Sequence, residues 1–288
     1  MPEIDLSLGL LVTLIAFTAE YIDSTLGMGY GTTLLPILLL MKFDAKEIVP
    51  MILLSELISG LLAGVLHHKA GNVDLAPRRA LADQWASIRE RGLARWFVTE
   101  LPMHLKVALV LGALSVVGAV GGATVFKNMG SHHLKICFGI LIVSIGVVIL
   151  ATLKKQIAFS WKKIAGLGLL ASFNKGFSGG GYGPVVMGGQ MLSGIESKSA
   201  VGITSVAEGI TCIAGLAVHM LWKGGVQSWK LAPFLLIGAI LSVPCSAYSV
   251  KRIPAFGMRV AVGIVTVFLG LLTLNKELHL LDRVREMM

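Results

Sequence analysis

Hydrophobic positions along this chain fall in solid blocks rather than stripes. Apolar runs occupy roughly 6–22, 30–41, 47–66, 106–126 and 133–153, and again 164–173, 182–193, 199–221, 231–250 and 257–274. Inside a run such as KVALVLGALSVVGAVGGATVF (106–126) no polar face returns every third or fourth residue, as it would on a helix half in water. About twenty apolar residues rising 1.5 Å each cross a hydrocarbon layer of about 30 Å, so the long runs predict membrane helices. The second run of each set is too short to cross comfortably. Lipid offers no hydrogen-bond partner to a bare backbone, so the expected fold is an all-α membrane protein.

The runs count five and then five, and the two sets share residues. At an offset of 152, residues 27–67 match 179–219 at ten of 41 positions, among them Gly27, Gly29, Tyr30, Gly31, Glu56 and His67. GILIVSIG (139–146) matches GIVTVFLG (263–270) at an offset of 124. The drop of 28 between the offsets is an insertion in the first set, and the charged stretch 76–105 is that insertion. The chain therefore divides into two membrane repeats, 1–155 and 156–288. Each holds five helical elements, with the short or broken helices meeting near the midplane. The halves are expected to be inverted, the arrangement in which paired broken helices build a shared site. The insertion, with Arg78, Arg79, Arg89, Arg91 and Arg95 beside aromatic residues, reads as an interfacial segment on the cytoplasmic membrane surface.

Composition agrees with the block pattern. The chain is 55% hydrophobic and 14% charged, where soluble domains carry about 25% charged residues. A net charge of +9 would suit nucleic acid in a soluble protein. Here Lys and Arg gather in the loops, where the positive-inside bias puts them, and the partner they imply is the lipid bilayer rather than a nucleic acid. The first run lacks a basic flank and a small-residue cleavage site and reads as the first membrane helix. Cys137, Cys212 and Cys245 lie in apolar runs and read as small core residues. No metal-ligand spacing, phosphate loop or nucleophile elbow occurs, so the sequence points to no enzyme, no metal and no cofactor. A homo-oligomer is compatible with such a chain.

GMGYG (27–31) and GGGYG (179–183) are the positions where chemistry concentrates. Glycine breaks a helix cheaply and lets backbone approach a ligand. A broken helix in lipid needs its freed amides satisfied by protein, water or substrate. Each break leads into a helix N-terminus, whose unpaired N–H groups and partial positive charge suit a small oxyanion. Candidate substrate-binding residues are Gly27, Gly29, Tyr30, Gly31 and Thr32, then Asn174, Lys175, Ser178, Gly179, Gly181, Tyr182 and Gly183. The other reading of the glycines is helix packing alone, as in GLLAG (60–64).

Glu20, Asp23, Glu56, Lys175 and Glu208 sit in apolar context, where a charge is costly and marks function by default. Glu56, Glu208 and Asp23 are candidate coupling residues. Glu56 and Glu208, matched across the repeat, form either a proton-coupling pair or caps for the broken helices. Lys175 either supplies the counter-charge of a bound anion or pairs with Asp23 or Glu20.

The paired glycine-rich segments, the Glu that follows each, and the two-half layout resemble the sulfite exporter family TauE/SafE. The resemblance covers nearly the whole chain apart from 76–105. It implies a transporter that moves small sulfur oxyanions or organosulfonates, such as sulfite or sulfoacetate, across the plasma membrane. It places the site at Gly27, Gly29, Tyr30 and Gly31 and at Gly179, Gly181, Tyr182 and Gly183. Asp23 stands where the second half has Lys175, so the halves are not interchangeable. Two rivals remain open at this point. One is a haem-bearing electron carrier using His67 and His219, which match across the repeat; the other is a passive anion channel.

Overall fold

The structure is a computed structural model that describes residues 5–77, 81–128, 131–178, 182–222 and 229–278. All regular structure in the described residues is helical. The first set of runs becomes α1 (Leu6–Leu26), α2 (Tyr30–Leu40), α3 (Ala45–Ala70), α6 (Met103–Asn128) and α7 (Ser131–Ala151). The second becomes α8 (Trp161–Ser178), α9 (Tyr182–Leu192), α10 (Ser197–Trp222), α11 (Ala232–Arg252) and α12 (Ala255–Leu278). Within the described residues five of these are long and apolar enough to cross a membrane, and the chain is a multi-pass membrane protein. α2 and α9 have 11 residues each, about 16 Å of helix, well short of a bilayer core. Asp5 caps α1, and hydrogen bonds from the Leu8 amide and the Ser7 hydroxyl hold its carboxyl below the usual range.

The insertion is not one helix. It folds as α4 (Leu81–Arg91) and α5 (Leu93–Thr99), separated at Gly92, whose φ of 78° lies in the left-handed region. The Trp96 indole N–H donates to Gln84 Oε1 at 3.2 Å and ties the two pieces together, while Trp85 and Val98 stay exposed.

Which helices touch, and in which direction, is legible at the glycines. Gly60 of α3 lies against the backbone of Ser205 and Gly209 on α10, Gly215 against Leu53, and Gly202 against His67. Rising numbers on α3 meet falling numbers on α10, so these two helices run antiparallel. α7 and α12 do the same: Gly139 meets Leu274, Gly146 meets Val267, Gly263 meets Leu150 and Gly270 meets Val143. Exchanging each residue for the one 124 positions away turns the first two contacts into the last two. By contrast α1 runs parallel to α11, with Gly9 on Phe234 and the Tyr21 hydroxyl 2.8 Å from Ser249 Oγ. α6 runs parallel to α8, with Leu111 on Gly168 and Gly118 on Ser172.

The two short helices differ in their surroundings. α9 buries every residue from Tyr182 to Met191, enclosed by α7, α8, α10 and α12. α2 packs on α1 and α3 and buries only Tyr30, Leu34 and Leu38, leaving Leu40 83% exposed. The cysteines correct the sequence reading: Cys212 is buried, but Cys137 and Cys245 face outward. In a bilayer the outside is as apolar as the core, so a hydrophobic run does not say which way a residue points.

Candidate functional site

The first helix break forms where the glycines stand. α1 ends at Leu26, Gly27 adopts φ 72° and Gly29 adopts φ 129°, and α2 starts at Tyr30. Side chains other than glycine resist these backbone angles. In the second half α8 ends at Ser178 and α9 starts at Tyr182. Gly179 and Gly181 lie outside the described residues, as does the side chain of Ser178. The first turn of α9 touches the first break. A Cβ on Gly183 would sit 2.7 Å from Met28 Cα and 2.9 Å from the Gly27 carbonyl oxygen. Gly27 in turn faces Met187 of α9.

Beside this junction lies a cavity of about 170 Å³. Asp23, Glu56, Lys175 and Glu208 reach it from α1, α3, α8 and α10. Gly29, Tyr30, Gly31 and Thr32 line it from the first break, and Tyr182 and Gly183 from the second. A Cβ on Gly31 would meet nothing within 4 Å, which leaves open space at the start of α2. Ten of the residues singled out in the sequence thus share one cavity. Gly27 belongs to the junction rather than to the lining, and Asn174 is buried on α8.

The polar contacts define the chemistry. The Tyr30 amide donates to Asp23 Oδ1 at 3.2 Å, so Asp23 caps α2. The two tyrosines anchor their helices: Tyr30 hydroxyl is 2.7 Å from Ser55 Oγ, and Tyr182 hydroxyl is 2.7 Å from Ser115 Oγ. Lys175 Nζ stands 5.1 Å from the centroid of the Tyr182 ring and 3.9 Å from Glu56 Oε2. This corrects the expected pairing. The carboxylate beside Lys175 is Glu56, not Asp23 or Glu20, because the lysine at the end of α8 extends across the cavity to α3. Glu20 instead accepts a hydrogen bond from Ser24.

Three carboxylates converge here. An oxygen each from Asp23, Glu56 and Glu208 lies within 4.8 Å of the other two. Sequence spacing does not reveal this, since the three come from three helices. Cys212 was also missed: its thiol donates to Glu56 Oε2 at 3.2 Å.

His67 takes a different role from the haem ligation entertained above. Its Nε2 is 2.9 Å from the Ser24 carbonyl and its Nδ1 is 3.0 Å from Asn72 Nδ2. Both ring nitrogens are committed to protein partners, which leaves none for iron. The side chain of His219 lies outside the described residues.

A family model described as Sulfite exporter TauE/SafE matches residues 12–82 and 92–273. The chain belongs to the TauE/SafE family. The unmatched residues 83–91 fall on α4, within the insertion. A curated relative from Bacillus subtilis (strain 168), "Probable membrane transporter protein YtnM", is 25% identical over 268 residues. That alignment covers 91% of this chain and 81% of the relative. No solved structure matches. The protein is a TauE/SafE membrane transporter, and the family is one of transporters rather than enzymes.

Proposed function

We propose that this transporter moves a small sulfur oxyanion or organosulfonate, such as sulfite or sulfoacetate, across the plasma membrane. The substrate is held in the cavity where the two helix breaks meet. The observation that carries the reading is the placement of the Lys175 ammonium and the N-terminus of α2 on the same small cavity, at the contact between Gly183 and Met28. An ammonium gives an oxyanion a charge-assisted hydrogen bond, and the open space at Gly31 admits it to the backbone amides. About 170 Å³ suits an ion of a few heavy atoms, not a large metabolite.

Asp23, Glu56 and Glu208 are the coupling residues in this reading. They stand within reach of Lys175 and of each other, so occupancy by the anion and the state of the carboxylates are linked through charge. The two halves are inverted repeats. The antiparallel packing of α3 on α10 and of α7 on α12, and the reciprocal contacts between the last two, support this, because corresponding helices in inverted halves must run oppositely.

The test is uptake into proteoliposomes with a panel of sulfite, thiosulfate, sulfoacetate, taurine and sulfate. Saturable uptake of one member, concentrated by an imposed ion gradient, supports the reading. Flux that only equilibrates would favour the channel, and no flux of any member would remove the substrate class.

A further inference from the structure

We propose that the cavity takes a second ligand: a hard metal cation of calcium or sodium size, held by the carboxylates of Asp23, Glu56 and Glu208. The proposal rests on the reading of this cavity as the transport site, and adds the ion that accompanies the anion. Three oxygens within 4.8 Å of one another leave a central point at most about 2.8 Å from each, near the 2.3–2.6 Å of calcium–oxygen bonds, and magnesium parts with its own water shell reluctantly. A slight inward movement of the three side chains completes the contact. All the offered donors are carboxylate oxygens, which select hard cations over zinc or copper.

Three acids alone would not make a site. Two of these have partners already: Asp23 accepts from the Tyr30 amide, and Glu56 accepts from Cys212 and faces Lys175. Glu208 differs. It is 5% exposed, lines the cavity, and has no hydrogen-bond partner among the described residues. A buried carboxylate without a donor is expensive, and a cation at the triangle's centre supplies what it lacks.

The charge balance points the same way. Three carboxylates against one ammonium leave the lining acidic, and an acidic lining repels the proposed anion. That net charge of two negatives falls to one with sodium and to zero with calcium, so the anion binds better when the cation is present, and cation and anion travel together.

The test uses the full chain in detergent, in choline chloride at constant ionic strength and pH. NaCl, CaCl₂ or MgCl₂ is substituted in turn while thermal melting is followed. Sodium or calcium should raise the melting temperature saturably, magnesium much less, and Glu208→Gln should weaken the apparent cation affinity at least tenfold. Equilibrium binding of radiolabelled sodium and calcium to the unmodified protein covers the case of a variant that does not fold. Melting that follows pH but no cation, with no bound label, overturns the proposal in favour of protons. An undiminished cation shift in folded Glu208→Gln overturns it by placing the ion elsewhere. Neither readout needs the anion. Cation binding with no anion uptake would leave this site standing and remove the transport reading, while anion uptake with no cation binding would do the reverse.

Discussion

The Lys175 ammonium stands 3.9 Å from the Glu56 carboxylate, joining the last turn of α8 to the middle of α3 across the two halves. At the sequence offset of 152, Lys175 stands opposite Asp23. One of the two is cationic and one anionic, and both face the same cavity. The cavity thus has a cationic and an anionic side.

Removing that ammonium strands Glu56. Lys175→Gln should lower stability, by no more than the about 3 kcal/mol at the low end for broken buried pairs, since the lysine side chain keeps 20% exposure. Adding Glu56→Gln should return most of it. Thermal melting of the two variants in detergent checks both statements. A single variant as stable as the parent would mean that water already solvates the pair.

Two glycines of the site should respond oppositely to alanine. Gly183→Ala drives a methyl group into the Met28 and Gly27 backbone, which cannot swing aside as a side-chain tip can. It should cost roughly 1–3 kcal/mol and disrupt the junction. Gly31→Ala meets nothing and should fold as the parent does while narrowing the cavity. Melting curves combined with uptake separate the two. Equal stability of both variants would contradict the contact between α9 and the first break.

The tyrosine hydroxyls each meet a serine of another helix, Tyr30 at Ser55 and Tyr182 at Ser115. Tyr182→Phe keeps the ring near Lys175 but loses the bond to Ser115, and should cost about 1 kcal/mol while leaving the anion affinity within about twofold. Ser115→Ala should cost a similar amount, and the double variant little more than either alone, because the two share one interaction. A large affinity loss in Tyr182→Phe would assign the hydroxyl to the ligand.

The proposed inversion of the halves would put the first residues of α1 and the loop before α8 on opposite sides of the membrane. In a chain whose own cysteines are replaced, Ser7→Cys and Lys155→Cys, both exposed, should react with an impermeant thiol reagent added from opposite faces. Labelling of both from one face would mean that the halves run parallel.

Much of the fold was legible in the sequence, and the exceptions share a cause. Ten helices follow from ten apolar runs because lipid leaves the backbone no other choice. The breaks were legible because glycine is needed where φ turns positive, as at Gly27 and Gly29. The partner of Lys175 was not, since Glu56 lies on another helix and only the tertiary fold brings the two to one cavity. The meeting of Asp23, Glu56 and Glu208 was hidden for the same reason. So was the difference between α2 and α9: both are short apolar helices, and only packing by α7 and α12 encloses the second. The outward-facing Cys137 and Cys245 escaped because lipid and protein core look alike to a hydrophobic pattern.

The most direct test of the account is the concentration dependence of labelled sulfite uptake by proteoliposomes bearing the parent protein or folded Lys175→Gln, with sulfoacetate and thiosulfate as competitors and as alternative labelled substrates. The account predicts saturable uptake of at least one of these anions by the parent. In Lys175→Gln its apparent affinity should fall about ten- to a hundredfold, the loss of one charge-assisted hydrogen bond of about 1.5–3 kcal/mol. Uptake by Lys175→Gln with the parent's affinity would contradict it.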